Sequence, residues 1–165
     1  MIAAGNPARI GYHNATMANS LPTFGVLGDG GMGTLCALLL AESGARVTLW
    51  SAFPDQADAI NRDRENRRFL PGVPLPPAIT ATADVADLPP SAAFLVSAIP
   101  TPFLRPVLAK IGPRLPAGVP VLSVSKGIEN ATLLRPSQIL REALGPARPL
   151  AVLSGPCIAF EVARR

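Results

Sequence analysis

The sequence is poor in the residues on which nucleophilic catalysis and transition-metal sites depend. Among its 165 residues there are two cysteines and one histidine. His13 stands near the amino terminus, and neither Cys36 nor Cys157 belongs to a Cys-x-x-Cys pair or has an evident activating base. Serine–histidine catalysis, a cysteine nucleophile and a histidine-ligated zinc site are therefore excluded, and we expect no metal. Since no redox motif is indicated, we expect a reduced, cytoplasmic setting.

Aromatic residues are also scarce, at 5% of the chain, and no basic stripe is interleaved with them. The net charge of +4 therefore does not indicate a nucleic-acid-binding protein. A mild positive excess equally suits an anionic nucleotide and a phosphorylated substrate. The arginine-rich stretch 62–68, which also contains Asp63 and Glu65, is interpreted as a solvated helix end.

Long apolar runs are missing as well. No run reaches the roughly 18 residues that a membrane span needs, and residues 1–22 lack the continuous apolar segment of a signal peptide. We predict a disordered leader over residues 1–22, with Met17 as an alternative start, and one domain over residues 23–165.

Short apolar runs and helically spaced apolar residues alternate along this domain. This alternation predicts a Rossmann-type α/β fold, a doubly wound and mostly parallel sheet with helices on both faces. The loops that follow residues 27, 50, 99, 125 and 153 should then share the ligand-binding edge of the sheet. The predicted strands are 23–27, 45–50, 79–82, 93–99, 121–124 and 150–153, and the predicted helices are 34–42, one from Pro54, one capped by Thr101–Pro102, and 136–144.

A glycine motif, Gly28-Asp29-Gly30-Gly31-Met32-Gly33, links the first strand to the first helix. In this context Gly28 permits a tight turn, Gly30 lets the backbone approach a diphosphate, and Gly33 lets helix and strand pack closely. The helix N-terminus then attracts the phosphates. The motif predicts a dinucleotide cofactor, NAD or NADP. The choice between them stays open, because Ser51, Ala52 and Phe53 end the second strand without the usual acid or arginine.

Two loops on the predicted edge carry further candidates. Lys126 follows a buried strand and is one of only two lysines, which favours a point-charge role over that of an ordinary surface lysine. Ser154-Gly155-Pro156-Cys157 follows the last strand, where Gly155 could bring the backbone close to a ligand; a simple turn is the alternative.

Several longer motifs make the chain resemble the bacterial NAD(P)-dependent glycerol-3-phosphate dehydrogenases from about Thr23 to its end. The glycine motif is common to many dehydrogenases, whereas the remaining motifs together are specific. They are Val47-Thr48-Leu49-Trp50, the stretch from Glu65 to Pro76, Ala98-Ile99-Pro100-Thr101, Ser125-Lys126-Gly127-Ile128-Glu129, and the stretch from Ser154 to Ala163.

The resemblance implies interconversion of dihydroxyacetone phosphate and glycerol 3-phosphate, a step toward glycerophospholipids. It also implies roles for residues: Gly31, Met32 and Ala159 would contact the cofactor, Lys126 both cofactor and substrate, and Gly155 and Cys157 the substrate. Two positions depart from the family. Ala52 replaces a basic residue near the adenosine ribose, and Cys157 replaces a serine, a better hydrogen-bond donor.

Relatives in that family continue into an all-helical domain, which carries the lysine expected to move the carbonyl proton and the group that holds the substrate phosphate. We therefore expect this chain to be catalytically incomplete alone, and its final strand to expose apolar surface that favours association, for example as a homo-oligomer. Two alternatives stay open: a non-catalytic dinucleotide-binding remnant or interaction module, and another two-domain dehydrogenase of the ketopantoate-reductase type.

Overall fold

The computed structural model describes residues 21–164, and within them six parallel strands form one sheet with helices on both faces. The predicted Rossmann-type fold is thereby confirmed. The predicted leader, except Leu21 and Pro22, lies outside the described residues. In chain order the elements are β1 (Thr23–Leu27), α1 (Gly31–Glu42), β2 (Arg46–Trp50), α2 (Pro54–Asp63), β3 (Ile79–Thr82), β4 (Leu95–Ser97), α3 (Thr101–Ile111), β5 (Val121–Ser123), α4 (Pro136–Leu144), β6 (Leu150–Val152) and α5 (Ala159–Ala163).

The strand order is β3-β2-β1-β4-β5-β6, so the chain winds outward from β1 in one direction and then in the other. β1 pairs with β2 on one side, Leu27 beside Trp50, and with β4 on the other, Leu27 beside Ser97. In such sheets the crevice beyond the carboxyl ends of the strands, at the point where the winding reverses, is the ligand site. The loops after β1 and β4 therefore form the centre of the candidate site.

Alternate residues of each strand face opposite layers of the core. Val26 of β1 packs in the cluster that contains Ala37 of α1 and Ile60 of α2, whereas the next residue, Leu27, packs with Leu104 of α3 and Ile139 of α4. All six are at most 1% exposed. Burying a valine, leucine or isoleucine side chain stabilises the fold by about 1.5–3 kcal/mol. The two core layers, one on each face of the sheet, thus fix the strands whose carboxyl ends carry the candidate site.

Three local predictions need correction. Thr101 does not cap α3: the N-cap is Pro100, and the Thr101 hydroxyl instead donates to the carbonyl of Lys126 at 2.7 Å. β4 is shorter than predicted, although the chain on either side still bonds to β1. The arginine-rich stretch is solvated at Arg62 and Arg67, but Arg64 donates to three backbone carbonyls across the α2–β3 connection.

Within residues 21–164, no helix combines the length and the apolar character that crossing a membrane requires. The same residues contain no group of three or more histidine, cysteine, aspartate or glutamate side chains placed to hold a metal ion.

Candidate functional site

The glycine turn between β1 and α1 has two positions that no larger residue fits. Gly28 has φ +105°, and its N–H donates to the carbonyl of Trp50 at 2.9 Å. A Cβ on Gly33 would lie 1.8 Å from the carbonyl oxygen of Gly28. Real carbon–oxygen contacts never come that close, so glycine at 33 lets the first turn of α1 lie directly on the end of β1.

Gly30 is glycine for a different reason. It is the N-cap of α1 with φ −61°, and a Cβ built on it meets no atom within 4 Å. Neither backbone strain nor packing requires glycine there, so the open space beside it is available to a ligand. The first turn of α1 carries no acidic residue. Its free N–H groups and partial positive charge fit the diphosphate of a dinucleotide.

Gly31 lies between two other segments of the chain. A Cβ on it would be 2.9 Å from the carbonyl oxygen of Phe69 and 3.7 Å from the Cβ of Ala159. The structure thus brings the predicted cofactor residues Gly31 and Ala159 together, with the loop that carries Phe69 beside them.

Asp29, which the sequence analysis did not single out, lies inside the turn. Its side chain is buried, and its Oδ2 has no hydrogen-bond partner among the described residues. Burial raises the pKa of this carboxyl; a hydrogen bond from its own backbone N–H, another with Ser51 and the charge of Arg68 oppose that rise. The turn therefore holds an acid whose charged form is poorly solvated.

Asn66 fastens the α2–β3 connection to the glycine turn and was also missed. Its side-chain amide donates to the carbonyl of Asp29 at 2.6 Å and to the hydroxyl of Thr34 at 2.8 Å. Its side-chain oxygen accepts from Gln56 at 3.0 Å and from the N–H of Phe69 at 3.1 Å. The residue is completely buried, and both the oxygen and the nitrogen of its side chain have hydrogen-bond partners. The resemblance covers Asn66, but no local pattern indicated its role.

The predicted substrate residues meet at the other end of the site. The Lys126 ammonium donates to the carbonyl of Gly155 at 2.7 Å and to that of Cys157 at 3.2 Å. The Cys157 sulfur lies 4.0 Å from the same nitrogen. An ammonium has three donors, and the third N–H of Lys126 meets only this thiol sulfur, a weak acceptor that a ligand oxygen can replace.

A depression of about 320 Å³ joins the two ends of the site. Met32 of the glycine turn and Lys126 both line it, together with residues 98–102 at the end of β4 and the start of α3. Thr101 and Ser125 fix its wall: the Thr101 hydroxyl donates to the Lys126 carbonyl, and the Ser125 hydroxyl donates to the Ile99 carbonyl at 2.6 Å. Residues from the loops after β1, β4 and β5 therefore line one surface.

Comparison with known proteins decides the family. The sequence profile described as the N-terminus of NAD-dependent glycerol-3-phosphate dehydrogenase matches residues 23–165. The chain belongs to this family.

Relatives named as NAD(P)+ glycerol-3-phosphate dehydrogenases support the assignment. One from Mycobacterium tuberculosis is 41% identical over 148 residues, which cover 89% of this chain and 44% of the relative. Another, from Thermobifida fusca, is 44% identical over 142 residues, 85% of this chain and 42% of the relative. The chain thus spans less than half the length of these glycerol-3-phosphate dehydrogenases.

Solved structures of the family have the same fold. A glycerol-3-phosphate dehydrogenase from Coxiella burnetii superposes with a TM-score of 0.78 at 28% identity, over 87% of this chain and 44% of that one. The enzyme from Saccharomyces cerevisiae gives 0.75 at 27% identity, over 88% and 45%. A UDP-D-ManNAc dehydrogenase from Pyrococcus horikoshii, at 16% identity and a TM-score of 0.62, shares the fold alone.

Proposed function

We propose that this chain is the dinucleotide-binding portion, residues 23–165, of an NAD(P)-dependent sn-glycerol-3-phosphate dehydrogenase, which reduces dihydroxyacetone phosphate. The observation that carries the proposal is the glycine turn, in which Gly33 allows close packing and Gly30 leaves open space at the N-terminus of α1. The names of the relatives supply glycerol 3-phosphate, and dihydroxyacetone phosphate is the ketone that its oxidation produces.

The chain's own residues have separate tasks in this proposal. Gly28, Gly30 and Gly33 shape the turn under the diphosphate, and Gly31, Met32 and Ala159 border the cofactor. When bound, the nicotinamide supplies or accepts the hydride. Gly155 and Cys157 border the substrate.

In this proposal Lys126 polarises the carbonyl group of the substrate. Two of its N–H groups are held by backbone carbonyls, and its third N–H donates to the substrate oxygen, so that the positive charge of the ammonium lies beside it. We place the protein in the cytoplasm, where its two free thiols are stable, and we expect homo-oligomers.

Titration of NADH and NADPH against the 165-residue chain tests the cofactor site. A methyl group at Gly30 has room in the free protein but enters the space assigned to the diphosphate. We expect Gly30→Ala to weaken dinucleotide binding by about tenfold with an unchanged melting temperature. Gly112→Ala is the matched control, because Gly112 also has a negative φ and a Cβ there makes only ordinary contacts.

Identical binding curves for the two variants, or no saturable signal with the wild-type chain, would contradict the cofactor site. A steady-state assay with dihydroxyacetone phosphate tests whether the 165-residue chain also catalyses the reaction. Because the chain spans less than half of its relatives, we expect dinucleotide binding with little or no turnover. Turnover at an ordinary enzymatic rate would contradict that expectation.

A further inference from the structure

The carboxyl end of β2 is where Rossmann-type sites distinguish NAD from NADP, and here β2 supplies no residue for that purpose. An acid at this point accepts hydrogen bonds from the ribose hydroxyls of NAD, whereas an arginine binds the 2′-phosphate of NADP. The residues that follow β2 are Ser51, Ala52 and Phe53. The structure brings a charged residue to this point from elsewhere, because the α2–β3 connection places Arg68 beside Phe53.

Two aromatic rings hold the Arg68 guanidinium at the end of β2. Its central carbon lies 5.8 Å from the ring centroid of Phe53 and 4.9 Å from that of Phe69. Both rings are half exposed, so the three side chains form a surface feature rather than part of the core. A guanidinium over an aromatic face is attracted by the ring electrons and keeps its N–H edge free for an anion.

The backbone that carries Arg68 is fixed on both sides. The side-chain oxygen of Asn66 accepts from the N–H of Phe69, and the Asn66 carbonyl accepts from the N–H of Leu70 at 2.8 Å. Leu70 itself is 1% exposed. The arginine is therefore held at this position before any ligand binds, which lowers the entropic cost of using it.

The charges around Arg68 leave it available to an anion. No carboxylate of residues 21–164 lies within ion-pair distance of its guanidinium, whereas the neighbouring Arg67 pairs with Asp63 and Glu65. Asp29 is only 7% exposed, and a carboxyl so buried does not reach the ribose hydroxyls. Asp55, the first acid after β2, lies in the first turn of α2, where the helix N-terminus stabilises its charge. Neither acid stands directly at the end of β2, where an NAD-selective site has its carboxylate.

We infer that Arg68 binds the adenosine 2′-phosphate and gives this chain a preference for NADP(H) over NAD(H). The inference rests on the proposed function, since it assumes that the glycine turn holds a dinucleotide. It adds a specificity-determining residue that comes from the α2–β3 connection instead of from β2.

Equilibrium titration of the 165-residue chain with NADPH, NADH, 2′,5′-ADP and 5′-AMP tests the inference. The wild-type chain should bind NADPH more tightly than NADH, and 2′,5′-ADP more tightly than 5′-AMP, by about tenfold or more. Arg68→Ala should remove most of that difference by weakening NADPH alone. Arg67→Ala is the matched control, because it removes the same charge one residue away, and it should preserve the preference.

Arg68→Lys gives a second readout, because lysine keeps the charge but loses the planar group that stacks and binds phosphate through two N–H groups. We expect Arg68→Lys to prefer NADPH over NADH less strongly than the wild-type chain does. This remaining preference should decrease as salt is added, because salt screens the charge of the lysine. Equal affinity of the wild-type chain for both dinucleotides, or equal weakening of both by Arg68→Ala, would overturn the inference and leave the proposed function intact. Failure of the wild-type chain to bind either dinucleotide would overturn both.

Discussion

Asp29 shows how the backbone and the side chain of one residue can have opposite effects on a site. Its backbone carbonyl accepts hydrogen bonds from Thr34 and Asn66, which tie α1 and the α2–β3 connection to the turn. Its carboxyl, in contrast, is buried with one oxygen unpartnered. The backbone of this residue therefore stabilises the site, while the ionised side chain opposes folding.

The pH dependence of stability should reveal this opposition. Burial raises the pKa of Asp29 above its ordinary value of 3.8. A carboxyl with a raised pKa contributes stability below that ordinary value, and the contribution is lost as the pH rises through the folded pKa. The side chain of Asp29→Asn cannot ionise, so the free energy of unfolding of this variant should rise relative to wild type as the pH increases above the ordinary value of 3.8. Urea unfolding at several pH values measures the difference.

Asp63→Asn is the control for this experiment, because it should give the opposite slope. A hydrogen bond from Arg62 lowers the pKa of Asp63, so its ionised form stabilises the fold above the ordinary value and that contribution is lost in acid. The variant should therefore lose stability relative to wild type as the pH rises. Parallel slopes for the two variants would show that Asp29 is not a buried, unfavourable charge.

The connection between α2 and β3 is the element that shapes the site most, although it contains no regular structure over most of its length. Arg64 ends α2 in the left-handed region, with φ 51°. Its guanidinium donates to the carbonyls of Leu75, Pro76 and Ile79, the last at 3.0 Å. This arginine closes the connection into a loop, from which Asn66 and Arg68 reach the glycine turn and the end of β2.

Removing the Arg64 guanidinium should loosen that loop. Hydrogen bonds to a charged group contribute about 1.5–3 kcal/mol, so Arg64→Ala should lower the free energy of unfolding by about 2 kcal/mol. Arg64→Gly should recover about 1 kcal/mol of this, because glycine adopts a positive φ without strain. Urea unfolding measures both. Arg62→Ala is the control, because it removes an exposed arginine from the same helix end. It should change the free energy of unfolding by less than about 0.5 kcal/mol. An equal loss of stability in Arg62→Ala and Arg64→Ala would refute the role of Arg64.

Local patterns predicted most of these elements but not the contacts between them. The six strands and the first four helices follow from apolar runs and helical spacing, which are properties of neighbouring residues. Asn66 bonds to residues 37 and 32 positions away, and Lys126 bonds to residues 29 and 31 positions away. The resemblance placed Lys126 with Gly155 and Cys157, as the structure does. Nothing local indicated Asn66 or Arg68, because Asp29 and Thr34, which bond to Asn66, and Phe53, beside Arg68, are distant in sequence and are brought near only by the fold.

Exposed apolar side chains occur at the β6 edge of the sheet. Val152 and Leu153 are 55% and 60% exposed, and Ile158, 59% exposed, lies in the segment that leads from β6 to α5, a helix that packs against α1. β6 is an edge strand with two of its three residues exposed, although the other described strands are largely buried. Apolar surface gathered in one place favours contact with another protein surface. In the chain alone, a second copy is the partner always present.

Self-association of the 165-residue chain should therefore depend on this surface. We expect the weight-average sedimentation coefficient of the wild-type chain to rise over a protein concentration range of roughly 1 to 100 µM. Leu153→Ser should associate only at higher concentration, because it removes apolar area from the contact between the two copies. Leu21→Ser is the matched control, because Leu21 is 59% exposed but precedes β1, an inner strand of the sheet, whereas Leu153 follows the edge strand β6. If both serine variants sediment like the wild-type chain, or if Leu21→Ser has the larger effect, the surface around β6 does not drive association.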